Sequence, residues 1–126
     1  MKNRQGFTLV EIMIVCGVII LLASILIPNV LRVRLIANEA MAQTTLKAIA
    51  VALESYANDH NIYPSASDSL LTATPTYLNA DYFTGVHSGY TYSCELSDYY
   101  YRVTAQPVNA NAGSRKFSVT IGAVFY

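Results

Sequence analysis

Hydrophobic positions are distributed unevenly along this chain, and their spacing changes twice. An apolar stretch runs from Phe7 to Ile27 and contains a single acid, Glu11. As a helix, this stretch would span about 31 Å at 1.5 Å per residue, close to the thickness of the hydrocarbon core of a bilayer. The pattern therefore predicts a membrane-spanning helix near the N-terminus.

The next segment has the period of an amphipathic helix. Residues 31–58 contain no proline or glycine, and apolar positions recur there at alternating intervals of four and three. This apolar stripe consists of Ala42, Leu46, Ile49, Leu53 and Tyr56. Lys47, Glu54 and Asn58 are expected on the opposite face. We therefore expect a helix that packs by its stripe on the C-terminal part of the chain and ends before Pro64.

The last third of the chain has a period of two residues, which is typical of strands. Alternating segments occur at 90–96, 99–106 and 117–121, with a further short one at 124–126. Ser97-Asp98 is expected to form a turn, and Pro107 to end the second strand. A short helix is expected at 67–73. The fold class predicted is α+β, with a long N-terminal helix packed on a small antiparallel sheet of three or four strands.

Composition narrows the functional classes. The formal net charge is zero and only 13% of the 126 residues are charged, so a basic nucleic-acid-binding surface is not predicted. His60 and His87 have no acid or cysteine at ligand spacing, and no nucleophile motif occurs, so we expect no metal, cofactor or catalytic site. Cys16 and Cys94 lie in different predicted elements. We expect no disulfide between them, and Cys94 as a small buried hydrophobe.

Glu11 does not fit an ordinary membrane anchor. An ionised side chain in mid-bilayer is unfavourable by about 2.5–3.5 kcal/mol on insertion scales, so a lone carboxylate there needs a partner. An ordinary secretory signal does not fit either, because the apolar run is too long and no small-x-small cleavage site precedes Pro28.

The residues around Glu11 resemble a known family. Gly6-Phe7-Thr8-Leu9-Val10-Glu11, an aliphatic run and then Ile27-Pro28-Asn29 are similar to the N-terminus of type IV pilins and pseudopilins. The resemblance implies that a prepilin peptidase cuts between Gly6 and Phe7 and methylates the new amine of Phe7. It also implies that Glu11 becomes the fifth residue of the mature chain, where the family has its assembly glutamate.

Cleavage would supply the partner that Glu11 needs. The new α-amine of Phe7 has a pKa of about 8 in water and is mostly protonated at neutral pH. It would lie one helical turn from Glu11, and near Glu11 of a neighbour if subunits are staggered. Opposite charges at 4 Å attract by about 4 kcal/mol at an effective dielectric of 20, before desolvation. We therefore expect Glu11 to select the stagger of subunits during assembly.

Pro28 and Gly17 are further candidates for a role in assembly. Pro28 cannot donate to the carbonyl of Ser24, so a kinked or loosened helix is expected there. The resemblance implies local unwinding before this proline, although many relatives have a glycine where this chain has Ile20. Gly17 lies three residues before Ile20. The alternative role for Gly17 is close packing between helices, with no unusual backbone geometry.

The resemblance divides the chain into four parts: a cleaved leader at 1–6, a transmembrane and polymerisation helix at 7–31, an amphipathic helix at 32–60 and a globular head at 61–126. Lys2 and Arg4 favour a cytoplasmic N-terminus, although Arg32 and Arg34 weaken the charge asymmetry. The expected location is the inner membrane before assembly, and an extracellular filament, or the periplasm for a pseudopilin, afterwards.

The resemblance also implies the partners. These are other copies of the chain in a homopolymer, minor pilins, a prepilin peptidase and N-methyltransferase, and an inner-membrane assembly platform with its ATPase. Arg32, Arg34 and Glu39 are expected to be solvated charges, with contacts to neighbouring subunits as the alternative. The alternative functions are a pseudopilin of type II secretion and a monomeric anchored binding domain. The loop 109–113 lacks the acids of the calcium site common in major pseudopilins, which favours a pilin.

Overall fold

The computed structural model describes residues 2–3 and 5–126; Met1 and Arg4 of the expected leader lie outside the described residues. Helix α1 runs from Leu9 to His60 and helix α2 from Ser69 to Thr72. The strands are β1 (Tyr90–Ser97), β2 (Tyr100–Pro107), β3 (Phe117–Thr120) and β4 (Val124–Phe125), with a 3-10 turn at Ile121–Ala123. The predicted α+β class is confirmed. The chain divides into two compact units, Met1–Val33 and Arg34–Tyr126.

In the first unit, α1 exposes its apolar side chains. Val10, Ile14 and Leu21, for example, are each more than half exposed. The helical assignment continues through Pro28 without interruption, so the helix is not unwound at this residue in the single chain. The kink at Pro28 and the unwinding in a filament stay predictions. A proline removes its own backbone donor and crowds the carbonyl four residues earlier, but the helical hydrogen bonds on either side can still form. One turn earlier, the Ser24 hydroxyl donates to the Leu21 carbonyl at 2.7 Å.

In the second unit, the four strands form one antiparallel sheet in the order β1-β2-β3-β4. The register of β1 and β2 runs from Tyr90 opposite Pro107 to Ser97 opposite Tyr100, which places their turn at 98–99, one residue later than predicted. The prediction that Ile121 continues the third strand is wrong, because Gly122 has a φ of 74° and the chain turns there. Ile121 is 42% exposed as a result.

The core lies between α1 and one face of the sheet. The predicted stripe on α1 is confirmed: Ala42, Leu46, Ile49 and Leu53 are fully buried and Tyr56 is partly buried. They are packed in one cluster with the inward side chains of the sheet, namely Tyr90, Tyr92, Tyr101, Val103, Ala105, Phe117 and Val119. Burying one leucine or isoleucine contributes about 1.5–3 kcal/mol. The second unit is therefore stabilised chiefly by this cluster.

Glu54 borders this core, and its predicted position on the outward face of α1 is wrong. Its carboxylate accepts hydrogen bonds from the Tyr101 hydroxyl at 3.1 Å, the Gly122 amide at 2.9 Å and the Tyr63 hydroxyl at 3.2 Å. Burial, together with the hydrogen bond to Glu54, raises the pKa of Tyr101. Buried tyrosine hydroxyls need a partner, and the 3-10 turn after β3 brings the Gly122 amide to the same carboxylate.

Glu39 is likewise not a solvated charge, so the first expectation for it is wrong, whereas its contact with a neighbouring subunit stays a prediction. It is only 9% exposed and accepts hydrogen bonds from the Ser114 hydroxyl at 2.7 Å and the Ser114 amide at 3.0 Å. The Arg115 guanidinium lies 3.1 Å from its second oxygen. These bonds connect α1 to the loop before β3 within the same chain. Arg32 and Arg34 are exposed.

The two cysteines are free. Cys16 is exposed on α1, whereas Cys94 is half-buried in β1. Burial raises the pKa of the Cys94 thiol to about 12, with a smaller contribution from the Glu95 charge. A thiol with such a pKa stays protonated at neutral pH and is therefore a poor nucleophile.

Candidate processing and assembly site

The residues predicted to be processed lie just before α1. Gly6, Phe7 and Thr8 have no regular secondary structure, and α1 begins at Leu9. The first backbone hydrogen bond of the helix runs from the Ile12 amide to the Thr8 carbonyl at 3.3 Å. Gly6 is exposed and Phe7 is 87% exposed. The peptide bond between these two residues is therefore open to a protease in this chain.

Thr8 and Glu11 form a capping box at the start of α1. The Thr8 hydroxyl oxygen accepts a hydrogen bond from the Glu11 amide at 3.2 Å. In return, the Thr8 amide donates to the Glu11 carboxylate at 2.8 Å. Two backbone donors that the helix leaves without intrahelical partners are thereby satisfied, and the carboxylate lies at the positive end of the helix dipole.

This arrangement describes Glu11 before cleavage, and the expected pairing with the Phe7 amine in the processed chain stays a prediction. In the unprocessed chain the Phe7 nitrogen is an amide, and the Glu11 carboxylate is bound by the amide of the following residue, Thr8. The sequence contains the signal for this contact, because Thr-x-x-Glu before an apolar run is the signature of a capping box. The contact holds the carboxylate one residue away from the nitrogen that cleavage would convert to an amine.

The structure brings together some of the predicted site residues and not others. Phe7 and Glu11 line one shallow groove with Ile12, Ile14 and Val15. Gly17 and Pro28 lie six and seventeen residues after Glu11, which is about 9 Å and 26 Å along a helix. A Cβ atom built on Gly17 meets nothing within 4 Å, so packing within this chain does not require a glycine there.

The site presents an exposed apolar helix surface. By length and composition, α1 can cross a membrane, and its most apolar window has none of its residues buried. Within residues 2–3 and 5–126, no group of three or more His, Cys, Asp or Glu residues could hold a metal ion. The chemistry that this segment presents is an accessible Gly6-Phe7 bond, one fixed carboxylate and an exposed apolar helix.

Replacing Thr8 by alanine tests the capping box. We expect the first turn of α1 to lose about 1 kcal/mol of stability, because the Glu11 amide loses its acceptor. The measurement is hydrogen exchange of the amides at 9–12 in detergent micelles, which should become faster. Thr44→Ala is the control, because the Thr44 hydroxyl only bonds back to the Ala40 carbonyl within α1. Equal exchange in both variants would contradict the cap.

Comparison with known proteins identifies the class of segment at this end of the chain. Residues 1–27 match the family model of the prokaryotic N-terminal methylation motif. The chain is 39% identical over 72 residues to the type IV wide pilus major component PilA4 of Thermus thermophilus, covering 57% of this chain and 55% of that protein. It is 36% identical over 78 residues to the type II secretion system core protein G of Vibrio cholerae, covering 60% and 53%.

A third relative is the type IV major pilin protein PilA of Myxococcus xanthus, 36% identical over 69 residues, covering 55% of this chain and 31% of that protein. The predicted resemblance to type IV pilins and type II secretion pseudopilins is confirmed. The chain spans about half the length of the first two curated relatives named above. No solved structure matches it.

Proposed function

We propose that this chain is a structural subunit of a type IV pilus, held in the inner membrane by α1 before assembly and polymerised through the same helix afterwards. The observation that carries the proposal is the exposed apolar surface of α1 up to Val33, with one carboxylate fixed in its first turn. An apolar surface of this length is stable only in lipid or against similar helices. A filament whose core consists of such helices provides the contacts with similar helices.

Processing by a prepilin peptidase and N-methyltransferase at Gly6-Phe7 is the first step of this proposal. The methylation motif at 1–27 and the exposure of both residues support it. The proposed parts of the chain are a leader at 1–6, a transmembrane and polymerisation helix at 7–31, an amphipathic helix at 32–60 and a head at 61–126. The N-terminus would be cytoplasmic before cleavage.

Assembly would use the charge pair that cleavage creates. The Phe7 amine and a Glu11 carboxylate at 4 Å attract by about 4 kcal/mol at an effective dielectric of 20, before desolvation. That is comparable with the cost of about 2.5–3.5 kcal/mol for an unpaired carboxylate in mid-bilayer. A pair therefore offsets the cost both in the membrane and in the apolar core of a filament. Gly17 and Pro28 would contribute through contacts with neighbouring helices.

A pseudopilin of a type II secretion system is the second candidate, and the similarity to core protein G of Vibrio cholerae supports it. The loop 109–113 contains no acid, which supports the pilus instead. In either case the proposed partners are further copies of the chain, minor pilins and an inner-membrane platform with an ATPase. Electron microscopy of surface material distinguishes the two, since long extracellular filaments that contain this chain exclude a purely periplasmic role.

Replacing Gly6 by leucine tests the processing step. We expect the uncleaved precursor to accumulate and filaments to be lost, because a bulky side chain would occupy the position directly before the cut. Mass spectrometry of the N-terminus is the measurement: the unaltered chain should begin at Phe7 and carry one methyl group. Gln5→Ala is the control and should be cleaved normally. An unaltered chain that keeps Met1, or one that is cut at a bond other than Gly6-Phe7, would refute the proposed processing.

A further inference from the structure

The face of the sheet directed away from α1 contains an open groove. Side chains alternate along a strand, so the burial of Tyr101 and Val103 against α1 places Arg102 and Thr104 on the opposite face. The groove on this face encloses about 670 Å³. We call it the outer groove. Its lining includes Tyr100, Arg102, Thr104, Lys116, Ser118 and Tyr126, and Phe117, Thr120 and Ile121 complete it.

We propose that the outer groove binds an acidic polysaccharide chain, one whose sugar units carry carboxylate groups. The first argument is a row of hydroxyls on this face of the sheet, two of which, Thr104 and Ser118, line the groove while Ser93 lies beside them on β1. In the strand register, Ser93 lies opposite Thr104, and Thr104 lies opposite Ser118. A hydroxyl both donates and accepts hydrogen bonds, as the hydroxyls of a sugar do. A row of this kind can therefore bind successive hydroxyls of a polysaccharide that lies across the strands.

The second argument is the charge of the groove. Arg102 and Lys116 both line it, and the guanidinium of Arg102 lies 5.8 Å from the centroid of the Tyr100 ring. Within the described part of the chain, the side-chain ion pair shorter than 4 Å joins Arg115 to Glu39. Neither Arg102 nor Lys116 therefore has an acidic partner at that distance. The nearest acid in the register is Glu95, opposite Arg102 on β1. The groove thus presents two cations that can bind carboxylates.

The third argument is the position of the tyrosines at the groove. Tyr100 is 36% exposed and Tyr126 is 76% exposed. An exposed aromatic ring offers an apolar surface with a polar hydroxyl at its edge, which suits the mixed apolar and polar faces of a sugar ring. Hydroxyls, cations and exposed aromatic rings together match a carboxylated sugar more closely than they match a purely apolar ligand.

A nucleic acid fits this surface poorly. A protein that neutralises about 6–10 phosphates of DNA draws a large share of its affinity from these contacts. The outer groove has two cations, and the unit from Arg34 to Tyr126 has five Lys and Arg residues against seven Asp and Glu residues. Such a unit repels duplex DNA, which carries one charge per about 1.7 Å of its axis, at long range. A polysaccharide with one carboxylate on each sugar has a lower charge density, and its hydroxyls suit the hydroxyls of the groove.

Within the unit from Arg34 to Tyr126, the outer groove lies on the sheet face opposite the one that packs on α1. The binding itself does not depend on assembly, and it can be measured on the full-length chain in detergent micelles. A failure of binding would therefore leave leader cleavage and filament formation unaffected, and the two proposals can fail separately.

The test measures binding of polygalacturonate, a polymer of galacturonic acid, to the full-length chain in micelles by isothermal titration calorimetry. We expect Arg102→Gln and Lys116→Gln each to weaken binding about five- to tenfold, because each removes one charge-assisted contact. Glu95→Gln should strengthen binding severalfold by removing the neighbouring negative charge. Lys47→Gln is the control and should leave binding unchanged, because Lys47 lies on α1 over the ring of Phe125.

Binding of three further ligands is compared with that of polygalacturonate. Fully methyl-esterified polygalacturonate should bind much more weakly, whereas equal binding would overturn the role of the carboxylates. Polyglutamate or single-stranded DNA bound as tightly as polygalacturonate would overturn the assignment to a polysaccharide. Absence of polygalacturonate binding, or equal weakening by Lys47→Gln and Arg102→Gln, would overturn the site itself. Leader cleavage should be normal in all four variants.

Discussion

Replacing Glu11 by glutamine should abolish filaments while leaving leader cleavage intact. Glutamine can take the place of glutamate in a capping box, so the contact with Thr8 and the start of α1 should be retained. The negative charge is lost, and with it an attraction to the Phe7 amine of about 4 kcal/mol at an effective dielectric of 20. That energy corresponds to roughly a thousandfold in an association constant. Electron microscopy and mass spectrometry of the mature chain are the two measurements.

The matched variant is Glu11→Leu, which removes both the charge and the cap. If charge pairing governs assembly, both variants should lack filaments, and both should still be cut before Phe7. If the capping box is what assembly requires, glutamine should support filaments and leucine should not. Normal filaments from the glutamine variant would thus refute the proposed pairing of Glu11 with the amine.

Much of this fold could be predicted because its signals are periodic. The stripe from Ala42 to Leu53 and the alternation along β1 and β2 each repeat several times, so a single irregular position does not hide them. The capping box of Thr8 and Glu11 is predictable too, since both of its residues lie within one helical turn. The roles of Gly6, Phe7 and Glu11 in processing and assembly stay predictions.

The buried Glu39 and the half-buried Glu54 could not be assigned from the sequence. Glu39 is 75 residues from Ser114, and Glu54 is 68 residues from Gly122. Helical periodicity gives the angle of each glutamate on α1, but it does not say how far the sheet and its loops extend around the helix. Each acid lies beside the apolar stripe, where a polar side chain is solvated or buried according to the path of a distant loop. The positive φ of Gly122 sets part of that path.

Replacing Glu39 by alanine should be the most destabilising polar substitution in the unit from Arg34 to Tyr126. The change leaves the amide and hydroxyl of Ser114 without their acceptor in a part-buried site. We expect a loss of about 2–3 kcal/mol, since a buried donor left unpaired costs about 1–3 kcal/mol. For a domain of this size, the melting temperature should fall by roughly 10–20 °C. Near-ultraviolet circular dichroism of the tyrosines, recorded in detergent, follows the unfolding.

Arg115→Gln is the matched control. The side chain of Arg115 is 67% exposed, and an ion pair of this kind contributes about 0–1 kcal/mol. The hydrogen bonds from Ser114 lower the pKa of Glu39 more than the nearby guanidinium does, which agrees with this ranking. We therefore expect a small effect from Arg115→Gln. An equal loss from both variants would show that the ion pair, and not Ser114, holds the loop.

The lowered pKa of Glu39 also predicts how stability depends on pH. Hydrogen bonds from the Ser114 hydroxyl and amide hold the pKa of this carboxyl below its ordinary value of 4.5. The ionised form is therefore favoured in the folded chain, and its contribution to stability is fully present above the unfolded pKa. That contribution should be lost as the pH falls below about 4.5, through the lower pKa of the folded state. The melting temperatures of the unaltered chain and of Glu39→Ala should accordingly differ most at neutral pH and converge in acid. A difference that stays constant down to low pH would mean that the carboxylate is not ionised when it binds Ser114.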